Sequence, residues 1–289
     1  MHQRHIYNKD ELLFLPNTSG YDDAWFSCDR EDQFLQNQDR LDSIYLDNPE
    51  YIRYKMNRHG YRTDELANFS DDFFVVMGCS YTVGEGLAEH DRWSDRLAGL
   101  CGLKCMNLGI SGAGIDVLLA NTLQYLKSPL PQPKFVVLQH PEVARTQQWF
   151  KEDPVRDTVF SELLTGSETA MADLVHELTK DLAPAEPKDS DGTNRRDLTK
   201  LITAAYNTEF FNRYWTSSGV PVIHWSFTGD ADVINDYKVN PDIHITSIPN
   251  DFPDVDWPGD LARDCAHDGI ESNKQVANIL YKHFIEDLI

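Results

Sequence analysis

No window of the sequence approaches the ~20 consecutive apolar residues that a helix needs to cross a bilayer. The opening stretch, MHQRHIYNKDELLFLPN, also lacks the continuous apolar segment of a signal peptide, so the expected compartment is the cytoplasm. Cysteine spacing of the metal-binding kind is missing too. Cys28, Cys79, Cys101, Cys105 and Cys265 are five in number, and only Cys101 and Cys105 lie close together, with no second pair beside them. Disulfides are not expected in a chain of 289 residues, and reduced thiols are the plainer reading. No metal or other cofactor is implied. Basic side chains are scarce, 26 Lys and Arg against 47 Asp and Glu, for a net charge of -21. That field repels nucleic acid and anionic membrane, and it suits a neutral or cationic substrate.

What is present is a globular composition, 41% hydrophobic and 11% aromatic. Residues 1–70 are polar, aromatic-rich and irregular, with too few apolar runs for a core of their own. They are expected to form an N-terminal extension packed on a main domain spanning 71–289. From Phe73 the rhythm changes. FFVVMG is a short, continuously apolar run, as expected of a strand buried on both faces. LKCMNLG, KFVVLQH, VPVIHWS and DIHITSI follow as further strands. Between them lie helical patterns over 91–102, 114–126, 158–182 and 196–218, a solvated loop over 184–194, and a last helix over 271–287. Strands alternating with helices predict a parallel sheet with helices on both faces, and ligands then bind beyond the carboxyl ends of the strands.

That rule draws attention to Ser80, just past the first strand. A serine hydroxyl is a poor nucleophile until a base takes its proton, and the base needs an orienting group. Among the ten histidines, His267 has a carboxylate placed as D-x-x-H, Asp264, so that both side chains can share one side of a turn. A developing oxyanion also needs donors: the N–H of Ser80 is one candidate, and that of Gly109, after the second strand, is another.

In order and spacing these blocks resemble the SGNH (GDSL-type) hydrolases. Gly78-Cys79-Ser80-Tyr81-Thr82-Val83-Gly84 is similar to their G-D-S-x-T-x-G turn, NLGISGAG with Gly109 to their second block, and Asp264-Cys265-Ala266-His267 to their last. NRHGYR (57–62) is similar to a segment that precedes the serine strand in bacterial members. The resemblance covers about residues 57–289. It implies a three-layer, flavodoxin-like α/β domain with five parallel strands, hydrolysing acyl or acetyl esters of lipids or carbohydrates without a metal. Two departures stand out. Cys79 replaces the usual aspartate, and LQHPEVAR has no asparagine where the third block normally supplies an oxyanion donor; Gln139 or His140, each with a side-chain N–H, is the expected substitute. The G-x-S-x-G pentapeptide of α/β-hydrolases is absent.

Plainer readings compete. Ser80 can open a helix as a cap, Gly109 can be a turn glycine, and Cys79 reads as a small buried residue rather than a nucleophile. Asp251, Asp254, Asp256 and Asp260 match no calcium loop and read as a solvated segment. Phe252 and Trp257 either line an acyl or sugar site or pin that segment down. Without the third-block asparagine, a non-catalytic domain that binds glycan or protein is the alternative function.

Overall fold

The computed structural model describes residues 18–143, 145, 195–227, 231, 234–235 and 240–289. The helix expected over 158–182 and the loop over 184–194 lie outside them. The chain begins with β1 (Asp22–Asp23), α1 (Glu31–Gln36), α2 (Ser43–Asp47) and β2 (Tyr54–Lys55), and β1 pairs with β2 antiparallel. The alternating part comes next: β3 (Phe73–Met77), α3 (Ser80–Val83), α4 (Trp93–Cys101), β4 (Lys104–Asn107), α5 (Ile115–Lys127), β5 (Val136–Gln139), α6 (Arg195–Ser217), β6 (Val222–Ser226), β7 (Ile245–Ser247) and α7 (Ile270–Leu280).

Strands β3 to β7 form one parallel sheet in the order β4-β3-β5-β6-β7. Counted along the chain this is 2-1-3-4-5, the flavodoxin-like arrangement, and the strand order reverses between β3 and β5. The cause is visible in β3 itself. Phe73, Val75 and Met77 point into one core with Leu118, Phe211 and Trp215 of α5 and α6. Phe74 and Val76 point into the other, with Trp93, Leu97, Val276 and Leu280 of α4 and α7. Each such apolar side chain contributes roughly 1.5–3 kcal/mol by leaving water, so a strand without a polar face is stable only between two helical layers. The protein is therefore a three-layer α/β fold.

The last helix departs from the periodicity. It is α-helical only to Leu280 and continues as a π-helical turn, Tyr281–Ile285. The wider turn carries Ile285, fully buried, into the cluster that holds Leu280. A hydrophobic pattern does not distinguish that spacing from an α-helical one.

Residues 18–70 pack against the segment that leaves β3. Phe26, Phe34, Tyr45, Ile52, Tyr54 and Met56 share a cluster with Val83 and Ala88. A second link reaches the end of the chain, where Arg263 meets Asp29 at 2.6 Å with both side chains at 0% exposure. The same guanidinium donates to the carbonyls of Ala24 and Pro49 and lies 4.0 Å over the Trp25 ring. Removing one partner of a buried pair leaves the other charge uncompensated, so Asp29→Ala is expected to lose roughly 3–5 kcal/mol of stability. Urea unfolding reads this as a lower midpoint at unchanged slope, and an unchanged midpoint would refute it. No helix among the described residues is long and apolar enough to cross a membrane.

Candidate active site

Ser80 begins α3 directly beyond the carboxyl end of β3, where the strand order reverses. The turn that carries it is held from three directions. A Cβ on Gly78 would come within 2.1 Å of Thr82 Oγ1 and 2.7 Å of Gln139 Oε1, so only glycine lets the ends of β3 and β5 close on each other. Gln139 Oε1 accepts from Cys79 N–H at 3.0 Å and from Thr82 Oγ1 at 3.2 Å. Asn107, at the end of β4, donates to Thr82 O at 2.6 Å. From the NRHGYR segment, the buried Arg62 donates to Gly84 O at 2.7 Å and Leu87 O at 2.8 Å.

The structure brings Ser80, His267 and Asp264 together. Ser80 Oγ lies 2.7 Å from His267 Nε2, and His267 Nδ1 lies 2.5 Å from Asp264 Oδ2. All three residues are buried. Asp264 Oδ1 also accepts the N–H groups of Ala266 and His267, both at 3.1 Å, so one carboxylate shapes the turn and orients the ring. Because that carboxylate accepts, the network assigns the imidazole proton to Nδ1 and leaves the Nε2 lone pair facing the serine hydroxyl. Gly86 permits the approach of the two loops. Its φ is +76°, and a Cβ there would sit 3.0 Å from Asp264 Oδ1 and 2.7 Å from Ala262 Cβ. Arg263 N–H donates to Gly86 O at 3.0 Å and closes the contact.

Glu85, between the two glycines of that loop, is a site residue that the sequence motifs do not mark. It is fully buried, accepts from the Ser111 hydroxyl and from Cys28 N–H at 3.1 Å, and burial pushes its carboxyl pKa up. Glu85, Asp264 and His267 offer atoms within 4.8 Å of one another. Both imidazole nitrogens are already engaged, Nδ1 by Asp264 and Nε2 by Ser80. Burial opposes charge on His267, but the Asp264 hydrogen bond and the charges of Asp264 and Glu85 outweigh it, and the pKa is raised above 6.5. The one clue in the sequence is a carboxylate between two glycines right after a serine turn. Glu85→Gln removes one raising charge. If activity requires the neutral imidazole, the acid limb of kcat/KM is expected to move to lower pH. A limb at the wild-type pH would show that Glu85 does not act on His267.

Most of the expected oxyanion donors already have hydrogen-bond partners in the structure. Gly109 N–H donates to Asn107 Oδ1 at 2.9 Å and is not free. Gln139 Nε2 donates to His140 O at 2.5 Å, while its oxygen holds the serine turn. His140 pairs through Nε2 with His224 Nδ1 at 3.1 Å, and His224 Nε2 meets Asn212 Oδ1 at 3.2 Å. An amide oxygen only accepts, so His224 carries its proton on Nε2 and His140 donates its own to His224. Burial lowers both pKa values, that of His224 to about 3, so the pair is neutral. Ser80 N–H makes no hydrogen bond among the described residues.

Cys79 is buried, its thiol pKa is raised by burial, and Sγ lies 3.2 Å from Gln139 Oε1. Tyr81 stands edge-on to the His267 ring at 4.6 Å and continues through Phe227 to Trp257. Phe252 instead packs on His283, beside α7. Asp260 caps α7 by accepting from the N–H groups of Glu271 and Ser272.

No protein-family model matches the sequence, and no curated protein matches it. Among solved structures the chain is similar to a candidate lipolytic protein of the G-D-S-L family from Desulfitobacterium hafniense DCB-2. The identity is 13% and the TM-score 0.39, over 72% of this chain and 97% of that one. At that TM-score the likeness carries no argument about activity, for which the distances and donors of the site are the only ground.

Proposed function

We propose that this protein is a serine ester hydrolase that works through an acyl-enzyme on acyl or acetyl esters, of lipid or carbohydrate origin. The observation that carries the reading is the continuous hydrogen-bonded line Ser80–His267–Asp264 at the carboxyl edge of a parallel sheet. Ser80 Oγ attacks the ester carbonyl carbon while His267 Nε2 takes its proton. The resulting imidazolium is held by Asp264, with Glu85 nearby. As the tetrahedral intermediate collapses, the same proton passes from Nε2 to the departing alkoxide. Water then repeats both steps and frees Ser80. Because His267 must start neutral, and its pKa is raised by Asp264 and Glu85 against the opposing effect of burial, kcat/KM rises through a pH above 6.5.

The experiment is treatment of the intact protein with a fluorophosphonate, followed by mass mapping of the adduct. A phosphonylated Ser80 is the expected result. An unlabelled serine beside measurable glycan binding would favour the non-catalytic reading, whose motive is the missing third-block asparagine.

A further inference from the structure

In the tetrahedral intermediate of the proposed reaction the former carbonyl oxygen carries a full negative charge. Among the described residues Ser80 N–H alone stands open to it from the expected set, since Gly109, Gln139 and His140 donate elsewhere. The loop after β5, where the third-block asparagine is missing, holds another donor. Arg145 Nη2 lies 3.3 Å from Glu142 Oε1, while Nη1 is buried and has no hydrogen-bond partner among the described residues. A buried guanidinium N–H without an acceptor is costly, and such groups in a folded protein call for a cause.

The position of Arg145 supplies one. A Cβ on Gly114 would come within 2.2 Å of Arg145 O, so the loop after β5 rests on the loop after β4, on the same sheet edge as Ser80. The guanidinium charge is felt by the Cys79 thiol and the Tyr81 phenol, which flank Ser80 in sequence, and by the His267 imidazole, whose Nε2 lies 2.7 Å from Ser80 Oγ. Ser80 Oγ itself is 4.0 Å from Cys79 Sγ.

We propose that Arg145 Nη1 is the charged oxyanion donor of this site, in place of the asparagine side chain absent from the third block; this rests on the acyl-transfer mechanism. When Ser80 Oγ bonds to carbon, the carbonyl electron pair moves onto oxygen and Nη1–H meets it. No proton leaves the guanidinium, which stays charged at any working pH. The arrangement favours the transition state over the ground state. Before reaction Arg145 disfavours a positive His267. Once the oxyanion forms, its charge lies with the guanidinium and the repulsion is relieved, so the stabilisation is realised only as the barrier is crossed.

Arg145→Gln and Arg145→Lys are compared with wild type on p-nitrophenyl acetate, a neutral ester, after thermal melts have shown that they fold. The glutamine variant is expected to lose about 10²- to 10³-fold in kcat with little change in KM. The lysine variant should recover part of that loss, and guanidinium ion added to Arg145→Ala should rescue turnover. Wild-type kcat in folded Arg145→Gln would overturn the proposal. So would a defect confined to KM, or to esters carrying a carboxylate, since either assigns Arg145 to substrate charge. If the glutamine variant does not fold, the lysine variant decides by the same kcat criterion. Fluorophosphonate labelling of wild-type Ser80 is run alongside, and its failure would remove the acyl-transfer mechanism itself.

Discussion

Ser80→Ala is expected to lower turnover of an activated ester by about 10⁴- to 10⁶-fold and to abolish fluorophosphonate labelling. The size reflects what one atom does. Oγ is the proposed nucleophile, and without it His267 has no proton to take and no acyl group can be stored. The fold has little stake in that atom: it hydrogen-bonds His267 Nε2 and otherwise lies 4.0 Å from Cys79 Sγ. Alanine fits the same space, so a melt close to wild type is expected beside the lost activity. Activity surviving in the alanine variant at wild-type strength would remove Ser80 from the reaction.

Asp264→Asn should be nearly as damaging, about 10⁴-fold in kcat, through a different cause. The asparagine oxygen can still accept the N–H groups of Ala266 and His267, so the turn survives. Its amide nitrogen, however, replaces Oδ2 opposite His267 Nδ1. A donor there asks Nδ1 to accept, which shifts the ring proton to Nε2, the nitrogen facing Ser80. The base is then protonated on the wrong side. Measured kcat with a melting temperature near wild type tests this. A loss below about tenfold would mean that Asp264 builds the turn without directing the proton.

Much of this is legible in the residues alone. The sheet is readable because its strands are apolar on both faces, a pattern that needs no knowledge of partners. Ser80, Asp264 and His267 are readable because a strand-ending serine and D-x-x-H are local features in a recognisable order. The oxyanion donors are not. Whether Gly109 N–H is free depends on Asn107, and whether Gln139 is free depends on Cys79 and Thr82, contacts that no local pattern encodes. Glu85 looks like one more acidic residue in a chain rich in them, and its burial against His267 exists only in three dimensions. Arg145 lies past the last periodic residue of β5, and its unpaired nitrogen is a property of packing. The polar stretch before Phe73 also reads as loops, because its apolar residues complete their cluster only with Val83 and Ala88.

The bridge between Asp29 and Arg263 spans 234 positions of sequence, and the one between Ser80 and His267 spans 187. A nascent chain emerging from the ribosome therefore exposes its serine long before the imidazole that would awaken it has been translated. In the proposed reaction, the half-built protein stays silent toward esters until residue 267 has been added.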